Sequence, residues 1–391
     1  MNRFIAVVLL LTLAAISGCA ANRGPSTGLS GYLLAIGGGL DDDNKPVYEQ
    51  FIRRARDASE RNGVPLRIVI ATAASGDQQA NIIGKTESIR SYAPDAEIGA
   101  ILRETPTDET IRLIDRCSAM FFTGGDQKRI TARYRPGDED GPELAAMRRL
   151  LERGGVIAGT SAGDAMMGEV MFFTGRSAEA LGIRSTRTQR AEDDDPDETR
   201  RELPMGPQIG PGMGLLPWAM TDSHFFERDR FGRLVAALEQ SGTRLGIGVG
   251  EDAAVEIDLS TGDLMGVSVA DSLLVDVAGV EREDITRRNI RAKVIRQGTR
   301  VSLPALLGSS PPRPAPRRPA QFAEVPIVEP GQNRQLASWR FFCRAEEEVD
   351  GAVLLRLDGY DQTAWRDRRG WSVVEISPRE NSNSAEQQSS R

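Results

Sequence analysis

The sequence VIAGTSAG at residues 156–163 predicts a strand that turns sharply into a helix, with a serine at the turn. Its apolar beginning is strand-like, and a helical pattern follows it. Gly159 and Gly163 permit a tight turn that would expose the Ser161 hydroxyl at the carboxyl end of a sheet, where open α/β sheets bind ligands. Because GxSxG also occurs as a plain tight turn, the strand-turn-helix context is what makes Ser161 a candidate nucleophile at a nucleophile elbow.

The residues before this turn alternate between strand-like and helical patterns. Strand-like runs lie at 31–36, 66–71, 97–102, 119–122 and 156–158, and helical patterns lie at 46–62, 77–92, 107–117 and 143–153. Strands separated by helices are typical of right-handed βαβ units. We therefore predict an α/β fold, a doubly wound and mostly parallel sheet with helices on both faces. Strand-like alternation over 264–277 is consistent with an antiparallel edge added to that sheet.

Composition divides the chain into unequal parts. We predict a lipoprotein signal peptide at 1–18, a tether at 19–30, the α/β domain at 31–307, a Pro-rich linker at 308–320, a small C-terminal appendage at 321–380 and a disordered tail at 381–391. The appendage contains enough aromatic residues for a small core, but it carries no chemical motif.

The N-terminus has the pattern of an export signal. Arg3 precedes an apolar run over 4–16, and the following Ser17-Gly18-Cys19 resembles a bacterial lipobox, in which Cys19 is acylated and becomes the new N-terminus. An ordinary secretory signal with an incidental cysteine is the alternative. Since no later apolar stretch reaches the roughly 18 residues of a membrane-spanning helix, we expect an extracytoplasmic protein attached to a membrane by its lipid alone.

Residue counts exclude several kinds of site. With one histidine and three cysteines in 391 residues, neither an HExxH motif nor a three-histidine zinc centre can be formed. Cys117 and Cys343 stand alone in the sequence, so we expect no metal, and nothing in the sequence implies an organic cofactor. A formal net charge of −7 disfavours nucleic acid as a partner.

A serine nucleophile needs a base and an acid that orients the base. His224 is the only imidazole in the chain, and it follows a predicted strand, as Ser161 does. Glu251 is the best candidate for the acid because it ends the apolar run 245–250, where a strand terminus would hold it rigidly. Asp222 and Asp252 compete with Glu251 for this role.

The oxyanion of an acyl-transfer intermediate needs two converging backbone amides. One is expected from Ala162, directly after the nucleophile, and the other from the Gly124–Gly125 turn, with Gly125 as the candidate. A plain loop after a strand is the alternative for this turn. The glycine run 37–39 could suggest nucleotide binding, but the GxGxxG pattern is not completed.

Four motifs together resemble the cyanophycinases over roughly residues 31–280. They are FFTGGDQ at 121–127, GTSAG at 159–163, DSHF at 222–225 with its following arginines, and GIG at 246–248 with Glu251 and Asp252. That family consists of serine hydrolases related to aspartyl dipeptidases, with a fold like that of class I glutamine amidotransferases. Its members cut cyanophycin, a polyaspartate bearing arginine on its β-carboxyls, into β-aspartyl-arginine dipeptides. The resemblance implies an enzyme of this kind, whose partner is a peptide substrate, and the leader sequence adds the expectation of export.

The resemblance also implies roles for single residues. Ser161 would be the nucleophile, His224 the base and Glu251 the acid, in agreement with the site built above. Substrate contacts would fall on Gln127, Asp222, Arg228, Arg230 and Arg233. Positions 230 and 233 would share one face of a helix predicted over 227–240, and guanidinium groups suit aspartyl carboxylates. Ordinary solvated arginines are the alternative.

Several residues depart from the family pattern and leave the substrate open. Ser223, Asp164 and the pair Val249-Gly250 replace the residues usually found there. Asp164 and the acidic segment 192–198 would either attract substrate arginines or be solvated charges. The alternatives to a cyanophycinase are an aspartyl dipeptidase that acts on α-linked peptides and a surface lipoprotein that keeps the fold without catalysis. A homodimer and a monomer both remain open.

Overall fold

The structure, a computed structural model, describes residues 28–183, 205–310, 322–325, 335–348 and 351–379. Cys19, the signal peptide, the acidic segment 192–198, most of the Pro-rich linker and the predicted tail lie outside the described residues. Within the described ranges, no helix combines the length and apolar character that a membrane crossing requires.

The described residues form nineteen strands and ten α-helices. In chain order, the strands are β1 (Tyr32–Ile36), β2 (Arg67–Ala71), β3 (Glu97–Ile101), β4 (Ala119–Phe122), β5 (Val156–Thr160), β6 (Val170–Thr174), β7 (Gln208–Pro211), β8 (Ala219–Asp222), β9 (Leu245–Val249), β10 (Ala254–Asp258), β11 (Asp263–Gly266), β12 (Ser272–Asp276), β13 (Glu281–Glu283), β14 (Thr286–Ile295), β15 (Arg300–Ser302), β16 (Phe322–Val325), β17 (Ala352–Arg356), β18 (Tyr360–Arg366) and β19 (Ser372–Pro378). The helices are α1 (Lys45–Asn62), α2 (Gln78–Tyr92), α3 (Thr107–Arg116), α4 (Gln127–Tyr134), α5 (Pro142–Glu152), α6 (Ala162–Ala165), α7 (Ser177–Ala180), α8 (Phe231–Ser241), α9 (Leu303–Gly308) and α10 (Gln335–Glu347).

The first sheet contains the predicted βαβ units. Strands β1, β5, β4, β2 and β3 are parallel neighbours in that order. The crossover helix α1 begins and ends at residues that favour such boundaries. The Asn44 side chain accepts from the amide of Val47, 3.3 Å away, and Gly63 ends the helix in the left-handed conformation, with φ 62°. Apolar cores cover both faces of this sheet, as parallel strands require.

The prediction of a mostly parallel, doubly wound sheet is wrong for the chain after β5. Strands β10, β11 and β15 extend the first sheet in antiparallel pairing beside β1. Connections such as the one from β10 to β11 are too short to hold a crossover helix, so the strands must pair antiparallel. The edge predicted over 264–277 is split, because β11 joins this sheet and β12 joins another. The molecule is therefore a mixed α/β protein.

A second sheet contains nine strands, and β6 and β7 form a separate antiparallel pair. Its order is β16-β17-β18-β19-β14-β12-β9-β8, with β13 paired to β14. Most neighbours are antiparallel, but β8 and β9 are parallel. Strand β19 pairs with β14, so the described strands after the linker continue the same sheet as β8 and β9.

Candidate active site

Ser161 lies at a strained turn between β5 and α6. Its backbone has φ 53° and ψ −106°, a conformation that residues with a side chain rarely adopt. A Cβ atom at Gly159 would collide with the carbonyl group of Gly163, and one at Gly163 would lie 2.7 Å from the Cβ of Phe122. Both glycines are therefore needed for close backbone approach, and the turn has the geometry of a nucleophile elbow.

His224 and Glu251 follow two neighbouring parallel strands. Strand β8 pairs with β9 with Asp222 opposite Gly248, so both strands end at the same edge of the second sheet. The Nε2 atom of His224 is 2.8 Å from the Ser161 Oγ, and its Nδ1 atom is 2.7 Å from the Glu251 Oε1. The structure therefore brings together the three residues that the sequence predicts, and this arrangement is able to move a proton from the alcohol to the imidazole.

These three side chains come from two different sheets. Ser161 follows β5, in the parallel part of the first sheet, whereas His224 and Glu251 follow strands of the second. The chain leaves the second sheet after β9 and enters the first at β10, and Glu251 lies in this connection. The candidate site is thus formed where the two sheets meet.

The glycine run 37–39 packs against the base and the acid. Gly38, with φ 101°, lies so close to the His224 imidazole that a Cβ atom there would overlap the ring. The amide of His224 donates to the carbonyl of Gly37 at 2.7 Å. A Cβ atom at Gly39 would lie 3.3 Å from the Glu251 Oε2. The pattern of this run suggests only nucleotide binding, although its position directly after a predicted strand is a signal for a site at the carboxyl end of the sheet.

Asp252, which competed with Glu251 for the role of the acid, is bound to other groups. Its carboxylate Oδ1 accepts hydrogen bonds from Asn44 Nδ2 at 2.7 Å and from the amide of Asp41 at 3.0 Å. Its own amide donates to the carbonyl of Gly38 at 2.8 Å. Asp252, with φ 56°, directly follows Glu251. Its hydrogen bonds therefore connect the backbone after Glu251 to the glycine run. No pattern in the sequence indicates this role for Asn44.

The predicted oxyanion donors are Ala162, next to Ser161 in the chain, and Gly125, which follows the residue nearest to Ser161 in this turn. Gly124 is close to the nucleophile, since a Cβ atom there would lie 3.3 Å from the Cβ of Ser161. The carbonyl of Ala74 accepts the amide of Asp126 at 3.0 Å, which fixes the turn at Gly125. Across the described ranges, no backbone carbonyl accepts from the amide of Gly125 or Ala162, so these donors are available to a developing oxyanion.

Among the predicted substrate contacts, Asp222 and Arg233 form a buried ion pair. The Arg233 Nε and Nη2 atoms are 2.8 Å and 2.5 Å from the two carboxylate oxygens of Asp222, and both side chains are buried. Arg230 donates to the carbonyl of Ser223 at 2.6 Å and lies 3.4 Å from Asp222. Arg228 and Arg230 are partly exposed. The amide of Gln127 donates to the carbonyl of Phe172 at 2.7 Å.

The predicted start of a helix at residue 227 is wrong. Helix α8 begins at Phe231, because Asp229 has φ 47° and interrupts any helical path before it. Arg230 therefore precedes the helix and does not share a helical face with Arg233. The two guanidinium groups nevertheless converge on Asp222.

Two titratable groups of the site have shifted pKa values. Burial lowers the pKa of His224 to about 3, and the guanidinium groups of Arg228 and Arg230 act in the same direction. Burial raises the pKa of Asp164 well above its usual range, and the nearby Asp222 adds to this shift. Asp164 is fully buried, and neither of its carboxyl oxygens has a hydrogen-bond partner among the described residues, so the interpretation of Asp164 as a solvated charge is wrong. In the part of the chain that the structure describes, no cluster of three or more His, Cys, Asp or Glu side chains is placed to hold a metal ion.

A serine at an elbow, an imidazole hydrogen-bonded to it and a carboxylate on the second ring nitrogen are the features of a serine-type hydrolase. Comparison with known proteins narrows this class. No protein-family model matches the chain. It is 27% identical to the cyanophycinase of Synechococcus elongatus over 287 residues, which cover 70% of this chain and 79% of the relative. It is 30% identical to the cyanophycinase of Trichormus variabilis over 201 residues, 49% of this chain and 58% of the relative.

A third relative, the cyanophycinase of Geminocystis herdmanii, is 34% identical over 140 residues, 36% of this chain and 42% of the relative. Among solved structures, a peptidase from an acI-B1 Actinobacterium aligns with a TM-score of 0.49 and 17% identity, covering 70% of this chain and 98% of that one. The chain is thus similar in sequence to proteins named cyanophycinase, and together with the geometry of its site this identifies it as a serine-type peptidase.

Proposed function

We propose that this peptidase hydrolyses cyanophycin to β-aspartyl-arginine dipeptides through an acyl-enzyme on Ser161. The observation that carries the proposal is the hydrogen-bonded series from Ser161 Oγ to His224 Nε2 at 2.8 Å and from His224 Nδ1 to Glu251 at 2.7 Å. Relatives named cyanophycinase support the substrate class.

In the proposed mechanism, His224 Nε2 takes the hydroxyl proton as the Ser161 Oγ attacks the scissile carbonyl carbon. Glu251 accepts a hydrogen bond from Nδ1–H, which holds the required tautomer and stabilises the imidazolium. The amides of Gly125 and Ala162 donate to the oxyanion. His224 then protonates the leaving amine, and the acyl-enzyme forms. Water attacks the ester with His224 again as the base, which restores the Ser161 hydroxyl.

The substrate preference is supported by the charges around the imidazole. Arg228 and Arg230 are partly exposed cations close enough to lower the pKa of His224, and they would suit the carboxylate groups of a polyaspartate chain. Asp222, which is buried and paired with Arg233, also contacts the Arg230 guanidinium and would hold it in place. The side-chain amide of Gln127 already donates to the carbonyl of Phe172. A contact between Gln127 and substrate would therefore use this same amide group.

Product analysis after incubation with insoluble cyanophycin tests the proposal. The native protein is expected to release β-aspartyl-arginine, and Ser161→Ala is expected to release none. Cleavage of α-linked aspartyl dipeptides without attack on the polymer would instead identify an aspartyl dipeptidase. If the native protein and Ser161→Ala were equally inert toward both substrates, the chain would be a non-catalytic surface protein.

We also propose export and lipid attachment through Cys19, on the basis of the lipobox-like sequence alone. Export would suit polymer released by lysed neighbouring cells. Cys19→Ala is expected to move the protein from the membrane fraction to the soluble fraction and to abolish incorporation of labelled palmitate. Retention of the label in that variant would contradict the proposal.

A further inference from the structure

Two buried phenylalanines directly follow the proposed base. The rings of Phe225 and Phe226 make an edge-to-face pair with centroids 5.5 Å apart. Both rings lie against the strand end that leads to Glu251. A Cβ atom at Gly248 would collide with the Phe225 ring, and one at Gly250 would lie 3.0 Å from the Phe226 ring. The pair therefore packs beside the backbone that carries both the imidazole and the carboxylate.

Helix α10, from the segment after the Pro-rich linker, completes this cluster. The ring of Phe342 lies 6.3 Å from Phe226 and 5.0 Å from Phe231, measured between centroids. Phe341 packs against Phe342 at 5.0 Å, and all of these side chains are buried. Since aromatic pairs at such distances are attractive beyond their buried area, α10 forms one wall of the core under residues 225–231.

The same C-terminal segment contacts two other neighbours of the site. On α10, the Trp339 Nε1 donates to the Asp271 carboxylate at 2.7 Å. The carbonyl of Asp271 approaches Gly250, the residue before Glu251, to 2.9 Å from where a Cβ would stand. From β18, the buried Tyr360 lies near Asp229, whose charge, together with burial, raises the pKa of the Tyr360 hydroxyl. These contacts lie on both sides of the 224–231 turn.

This turn needs support from outside, because its own backbone is strained. His224 has φ 45° and Asp229 has φ 47°, values that cost free energy and persist only where surrounding packing imposes them. A shift of the imidazole by about 1 Å can reduce turnover by about a hundredfold. Packing that fixes Phe226 and Phe231 therefore fixes the distance between His224 and Ser161.

We infer that Phe342 is a positioning residue for catalysis, and that the C-terminal segment holds the 224–231 turn in the geometry that the proposed mechanism needs. The inference rests on the proposed function, because its effect is measured on the hydrolysis that Ser161 and His224 perform. The segment that carried no motif in the sequence thus has a role in the active site through packing alone.

Turnover by variants of α10 tests the inference. Phe342→Ala removes the ring that contacts Phe226 and Phe231, and we expect kcat on cyanophycin to fall by at least about tenfold with KM within about twofold. Phe342→Leu keeps most of the volume and is expected to recover most of kcat. Val373→Ala is the matched control, because Val373 belongs to a separate buried cluster with Ala352 and Trp365 in the same segment. It is expected to change kcat by less than about twofold.

The readout is taken at a temperature at which circular dichroism shows every variant folded. If Phe342→Ala does not fold, Phe342→Val takes its place, with a smaller expected loss of kcat. Unchanged kcat in the folded variant would overturn the inference, as would an equal loss in Val373→Ala. Labelling of the native protein by a serine-directed fluorophosphonate separates this result from failure of the proposed function. A native protein that neither takes the label nor cleaves the polymer would overturn both proposals.

Discussion

The two sheets differ in how they present chemical groups. In the first sheet, Ser161 is placed by local backbone geometry, with a strand, two glycines and a short helix within residues 156–165. In the second sheet, His224 and Glu251 depend on groups that are distant in sequence. The glycine run after β1 and the Asn44 side chain contact the backbone beside them, and α10 packs against the Phe226 ring. A nucleophile can thus be fixed locally, whereas a base and its acid need tertiary support.

Strained backbone follows the same division. Among described residues other than glycine, six have positive φ, and four of them lie in or beside the candidate site. Only Ser161 belongs to the first sheet's part of the site, and the remaining three are His224, Asp229 and Asp252. Such conformations must be imposed by surrounding contacts. The half of the site that follows the second sheet and supplies the base and the acid should therefore lose more activity when distant residues are substituted.

The largest expected effect tests whether the two halves act as one unit. Ser161→Ala and His224→Ala should each lower kcat by about 10⁴- to 10⁶-fold, and the double variant should be no worse than either. Each group is useless without the other, so their losses do not add. Release of β-aspartyl-arginine measures kcat. Glu97→Gln, at an exposed acid on the edge strand β3, is the control and should remain within a few fold of native. A double variant far below both single variants would contradict the joint site.

A smaller effect is expected where the first sheet supports the base of the second. Gly38→Ala places a methyl group on the His224 imidazole and should lower kcat by about a hundredfold. Gly63→Ala is the matched control, since Gly63 also has positive φ but nothing within 4 Å of an added Cβ atom. It should lose about 1 kcal/mol of stability through backbone strain and keep its kcat. Equal kcat in the two variants would mean that contact with the imidazole at residue 38 does not affect turnover.

The same difference explains what could be predicted from the sequence. The strands and helices up to β5 follow from local periodicity, and the elbow follows from a strand, a turn and two glycines in one short stretch. The helix predicted from residue 227 failed because the φ of Asp229 is imposed by packing that the local pattern does not contain. The contacts of Gly38, Asn44 and Phe342 join residues far apart in the chain, so no spacing rule applies to them. The pairing of β19 with β14 was hidden for the same reason.

The charges of the second half predict an unusual pH profile. Burial, Arg228 and Arg230 lower the pKa of His224 to about 3, and a general base is competent only above its pKa. We therefore expect kcat/KM to hold as the pH falls through 6.5 and to decline only toward pH 3. Arg228→Gln removes one lowering charge and should shift the acidic limb to higher pH. Rates between pH 3 and 8, with folding followed by circular dichroism, measure both. A native limb near pH 6.5 would contradict the pKa shift.

The smallest expected effect lies at a contact between the two halves. Asp164 follows the elbow of the first sheet, yet the charge of Asp222 in the second sheet helps to raise its pKa above the ordinary value of 3.8. A carboxyl whose folded pKa is raised gives its full contribution to stability below its unfolded pKa, and that contribution is lost as the pH rises through the folded pKa. Asp164→Ala should therefore gain up to about 1–3 kcal/mol over native at pH 8 and no comparable advantage at pH 3. Urea unfolding at both pH values measures this change.

Asp276→Ala is the matched control, because Asp276 is equally buried but paired with Arg244 at 2.9 Å, and it should lose stability at pH 8. If Asp164→Ala were destabilised at pH 8 as Asp276→Ala is, the Asp164 carboxyl would have to be stabilised by a partner, and the electrostatic link between the two halves would be refuted.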